Sequence, residues 1–106
     1  MKAQFSDDVR ETMAQVLSAG GFVTPEAAAW EVSLTLALAK ISQYERECLG
    51  FRHKYGESLE PFQKRVEGMI GAEDFTMEDD LADWEFAERA LDLWQKRAEV
   101  LRRAAA

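Results

Sequence analysis

From Glu31 to Glu45 the chain reads EVSLTLALAKISQYE, and its apolar positions fit two periods. Val32, Leu34, Leu36 and Leu38 alternate with Glu31, Ser33, Thr35 and Ala37, the period of a strand with one buried face. The alternation does not outlast Leu38. Starting from Ala27, by contrast, apolar residues recur at Trp30, Leu34, Ala37, Ile41, Tyr44, Cys48, Phe51 and Tyr55. Those steps alternate three and four, which is heptad spacing. Thr24-Pro25-Glu26 supplies a capping hydroxyl and a proline at the first helical position, and Gly56 supplies a stop. The pattern therefore predicts one helix over 25–55, roughly 45 Å long. Gly50 is its weak point, where a bend or break is expected.

Three further helices follow from the same logic. Ser6 before Asp7 and Asp8 starts the first, with Val9, Met13, Val16 and Leu17 on its face and Gly20-Gly21 at its end. Ser58 starts a short third helix with Phe62, Val66, Met69 and Ile70 on its face, ended by Gly71. After a linker over 72–76, Thr76 and Asp79 resemble a capping box. The last helix is expected over 77–103, with a stripe of Trp84, Ala87, Leu91, Trp94, Ala98 and Leu101. The predicted class is mainly α: two long heptad-bearing helices joined by a short helix, in a dimeric helical assembly.

Composition narrows this reading. A chain of 106 residues buries a modest core, so association between copies is an expected source of stability. Twenty acidic residues against 13 basic ones, net −7, disfavour a broad nucleic-acid surface. A single cysteine, Cys48, permits no internal disulfide, and neither a signal peptide nor a membrane-spanning run is read, so a cytoplasmic setting without membrane contact is expected. Residues 73–88 carry eight acids and no base, and 89–103 carry five bases and two acids. The plain reading is that these charges complement the dipole of the last helix.

Residues 1–40 resemble a ribbon-helix-helix domain. The matching stretches are MKAQF, SDDVRETMAQVLSAGGF and VTPEAAAWEVSLTLAL. The resemblance implies a short N-terminal strand that pairs with that of a second chain and enters the DNA major groove. It places Lys2 and Gln4 toward DNA, and Thr24 at a helix start that could meet a phosphate. Phe5, Val9, Met13, Leu17, Trp30, Leu34 and Ile41 then form the dimer core. Lys2 and Arg10 stand against Asp7, Asp8 and Glu11 here, so the implied operator binding is weak.

Residues 41–103, within an expected helical partner-binding region over 41–106, are similar to small helical prokaryotic proteins of toxin–antitoxin-like loci, through ISQYERECLGFRHKYGESLEPFQKRV and EDDLADWEFAERALDLWQKR. Together the two resemblances imply an antitoxin-like protein without catalysis or cofactor. Its N-terminal region dimerises and its C-terminal helices bind a toxin. Trp84, Leu91 and Trp94 are expected to stay exposed or loosely packed until bound, with Asp79, Asp80 and Asp83 meeting a basic patch. The alternative is a structural helical homo-oligomer whose heptads serve only assembly.

The same residues also offer an enzyme reading. Asp79-Asp80-Leu81-Ala82-Asp83 spells the DDxxD of prenyl-diphosphate enzymes, in a chain too short for that fold. Asp80 and Asp83 with Glu85 and Glu88 resemble the paired acids of all-α, metal-dependent nucleotide pyrophosphohydrolases. On the long second helix Glu45 and Glu47 lie only at the flanks of the stripe, so no metal site is expected there. Cys48 and His53 are the one thiol and the one imidazole, about 140° apart around a helix and unsuited to act as a pair.

Overall fold

The computed structural model describes residues 4–69 and 75–104. Among them are four helices: α1 (Asp7–Ala19), α2 (Pro25–Tyr55), α3 (Leu59–Glu67) and α4 (Phe75–Arg103). The question posed by Glu31–Glu45 is answered as a helix. α2 starts at Pro25, ends at Tyr55 and continues through Gly50 without the expected break. Every member of the heptad series from Trp30 to Tyr55 is buried or half-buried, whereas Val32, Leu36 and Leu38 are exposed. The series starts one residue later than read: Ala28, not Ala27, is buried.

The helix ends follow local chemistry. Ser6 Oγ accepts the Val9 N–H at 3.3 Å, and Thr24 Oγ1 accepts the Ala27 N–H at 3.1 Å, each satisfying an otherwise free donor of a first turn. Gly56 takes φ +66° as α2 ends, and its N–H reaches the Arg52 carbonyl at 2.7 Å. A side chain there would be strained, so glycine suits the stop.

Three expectations are corrected. No strand occurs among the described residues: Gln4–Ser6 are irregular, and Met1–Ala3 lie outside them. An isolated strand has no ladder partner within one chain. α3 ends at Glu67 with Gly68 as its cap, whose N–H bonds the Lys64 carbonyl at 3.0 Å, so Met69 falls beyond the helix; Ile70 and Gly71 lie outside the described residues. Thr76 sits inside α4, which starts at Phe75, so Thr76 and Asp79 form no capping box.

The chain divides into two compact units, Met1–Thr35 and Leu36–Ala106. In the first, α1 buries none of its residues, and Ala28 is the one buried side chain among the described residues. In the second, the C-terminal half of α2, with α3 and α4, encloses a core of Cys48, Phe62, Trp84 and Ala87. Tyr44, Phe51, Tyr55, Leu59, Val66, Met77, Leu81 and Leu91 pack around it. The rings pack continuously: Tyr55 stacks on Phe62 at 4.1 Å between centroids, Phe62 meets Trp84 tilted at 5.3 Å, and Phe51 stacks on Trp84 at 5.6 Å. Contacts step backward along α4 as α2 advances. Ile41 shares a groove with Leu91, while Lys54 and Tyr55 reach Asp80, so the two helices run antiparallel. Trp84 is fully buried, and its indole N–H meets no acceptor among the described residues.

Replacing Trp84 with alanine is expected to cost about 3–5 kcal/mol, read as a lowered urea midpoint. A comparable loss is not expected at Trp94, which is only half-buried.

Candidate functional site

The polar groups that the fold gathers lie on the rim of the aromatic core, where α2, α3 and α4 meet. Asp80 in the second turn of α4 accepts from Lys54 Nζ at 2.6 Å and from the Tyr55 hydroxyl. Gln63 of α3 donates to Glu85 of α4 at 3.1 Å, and Arg52 of α2 stands 3.8 Å from Glu88. Glu57 in the α2–α3 turn pairs with Arg65 at 2.7 Å. The contacts of Asp80, Glu85 and Glu88 join acids of α4 to donors at the end of α2 and on α3, and the Glu57–Arg65 pair ties the α2–α3 turn to α3. They select one register for the helices.

The electrostatics agree with that role. Lys54 and then Tyr55 hold the Asp80 carboxyl below the usual carboxylate range. Burial, followed by the Asp80 carboxylate, raises the Tyr55 hydroxyl, and Asp80 raises Lys54. Cys48 is buried beside Glu88, and burial, reinforced by that carboxylate, pushes its thiol up to about 11. A thiol so placed stays protonated near neutrality and is a poor nucleophile. His53 is exposed on the same helix, away from it.

The acids singled out in the sequence separate. Asp80 is occupied by Lys54 and Tyr55, while Asp79 and Asp83 are exposed. Among the described residues, no three of His, Cys, Asp and Glu are grouped to hold a metal ion. An open cleft between Arg52, Ser58, Leu59, Gln63, Lys64 and Glu88 has mixed charge and no buried polar side chain aimed into it. No helix among the described residues is long and apolar enough to cross a membrane.

The residues expected to meet a protein partner also divide. Trp84 was expected to be exposed or loosely packed; the structure places it at the centre of the core. Leu91 is half-buried against that core, and Trp94 is half-buried with the Arg97 guanidinium 4.7 Å from its ring centre. Heptad spacing marks an apolar face, but it does not say whether the same chain or another one covers it. Of the residues expected to meet DNA, Lys2 lies outside the described residues, Gln4 is exposed, and the Thr24 hydroxyl is engaged as the α2 cap. The expected dimer core is not closed within one chain. Phe5, Val9 and Met13 are exposed, whereas Leu17, Trp30, Leu34 and Ile41 are half-buried. The reading along the sequence missed Lys54, Tyr55 and Gln63. Their signal was there: donors at the end of one helix facing an acid-rich start of another.

Asp80→Asn should flatten the pH dependence of stability on both sides. A carboxyl depressed by folding stabilises above its unfolded value near 4, and that contribution is lost as pH falls toward the lower folded value. The raised Lys54 and Tyr55 stabilise below their unfolded values near 10, and their contribution is lost as pH rises through the folded values. Urea midpoints at pH 3, 7 and 10.5 should therefore converge in the variant. In the folded protein Cys48 should resist alkylation at pH 8 and become labelled at a normal rate once denatured.

A scan against family models and searches of curated proteins and of solved structures find no match to this chain.

Proposed function

We propose that this chain is a helical assembly module without catalysis of its own, which pairs with a second copy through its N-terminal unit. One observation carries the reading. α1 is amphipathic and properly capped, yet Val9, Met13 and Val16 on its apolar face are 42, 42 and 64% exposed, and Phe5 just before its cap is 49% exposed. An apolar stripe on a short helix is worth forming when something covers it, since most helix stability in proteins comes from burial of that face. A 13-residue helix with no buried residue is marginal by itself.

The resemblance to antitoxins supplies the wider setting: a dimerising N-terminal region followed by a helical unit offered to a protein partner. In this setting the C-terminal unit meets its partner already folded. Its aromatic side chains close on one another, so folding upon binding is not needed to satisfy them. Recognition would fall to exposed side chains such as Asp79 and Asp83, whose charge speeds encounter with a basic surface.

Sedimentation of the intact chain tests the pairing. Wild-type protein should show concentration-dependent mass above that of one chain, and Met13→Asp should remove this N-terminal contact while leaving the helical circular dichroism of the C-terminal unit in place. Hydrogen exchange should find 84–98 protected without any partner. A mass unaffected by Met13→Asp at every concentration would overturn the assignment.

A further inference from the structure

α4 has a second apolar stripe that is mostly exposed among the described residues, touched by Tyr44, whose ring meets Phe86 edge-on at 6.0 Å. Phe75, Phe86, Leu93 and Val100 are spaced by 11, 7 and 7 residues, so they fall within about 40° of one another around the helix. They are 68, 56, 46 and 57% exposed. The stripe lies roughly 140° from the face that carries Trp84, Ala87, Leu91 and Ala98 into the core. Large apolar side chains aligned along one solvent face mark a contact surface more often than scattered single ones do.

The charges beside this stripe say what covers it. Within about 80° of its centre, the N-terminal half of α4 carries Glu78, Asp79 and Asp83, and the C-terminal half carries Arg89, Lys96 and Arg97. A face that is acidic at one end and basic at the other is complementary to itself turned end over end. We infer that the outer face of α4 pairs with the outer face of α4 from a second copy, antiparallel and two-fold symmetric, in a register centred between Ala87 and Glu88.

In that register Phe75 meets Val100 of the other copy and Ala82 meets Leu93. On one flank Asp79 meets Arg97, and on the other Glu78 meets Lys96, each within one residue of that register. Phe86, nearest the axis, lies beside Arg89, a pairing that favours a guanidinium over an aromatic face. Each contact occurs twice, as an isologous interface requires. The Lys96–Asp92 pair within one chain, 2.7 Å apart, is solvent-exposed at both ends and competes only weakly for Lys96. The heptad part of the stripe suits antiparallel knobs-into-holes packing. This surface is separate from the α1 face, so the two contacts fail independently.

The test is a charge swap on the full chain, read by sedimentation equilibrium. Glu78→Lys alone, or Lys96→Glu alone, should raise the dissociation constant of this contact on the order of tenfold, because each change acts twice across the axis. The double variant Glu78→Lys/Lys96→Glu should restore association, and mixing the two single variants should yield a heterodimer tighter than either homodimer. Leu93→Asp should abolish the contact, while Met13→Asp leaves it intact. Association that survives Leu93→Asp unchanged, a double variant as weak as the singles, or a single-chain mass at all concentrations would each overturn the inference. A mass that responds to Leu93→Asp but not to Met13→Asp would count against the N-terminal pairing and leave this one standing.

Discussion

The closure of three helix segments around Trp84 is the constraint on which the C-terminal unit depends. One indole stacks between Phe51 of α2 and Phe62 of α3 while its own helix supplies Ala87 beside it. Small residues at Cys48 and Ala87 leave the space that the large rings take up. Close-packed interiors tolerate little change in volume, so this set of large and small side chains acts as a unit. The polar rim follows from it. Lys54, Tyr55 and Asp80 can meet only because the rings beneath have set how far α4 slides along α2.

Much of this order was legible in the letters, and the reasons are local. The bounds of α2 follow from Thr24, Pro25 and Gly56, three residues whose backbone chemistry allows few other roles. The heptads of α2 and α4 named the buried positions from Trp30 to Tyr55 and from Trp84 to Leu101. The end of α3 was misplaced because Gly68 and Gly71 are equivalent as stop signals, and only the carbonyls near Gly68 decide between them. Thr76 was misread for a related reason: a capping sequence inside a helix resembles one at its start.

The candidate site was less legible. Acids at the head of a helix mean dipole complement, metal ligation or partner contact, and spacing alone does not separate these. Asp80 differs from Asp79 and Asp83 only in facing Lys54 and Tyr55, a distinction set by the rotation of α4 against α2. Trp84 shows the same limit from the apolar side, since its position in the stripe is equally suited to an interior and to an interface. What periodicity does carry is the number of faces: α4 has two apolar stripes, of which one is buried and the other mostly exposed among the described residues.

The buried indole nitrogen without an acceptor has a spectroscopic consequence. Three tryptophans occupy three different surroundings: Trp84 dry and stacked among rings, Trp94 beneath a guanidinium, and Trp30 in the other unit. Indole emission shifts toward the blue as polar neighbours are removed, which makes Trp84 the short-wavelength emitter. Unfolding of the C-terminal unit can thus be followed by colour in the unlabelled protein, apart from events at Trp30.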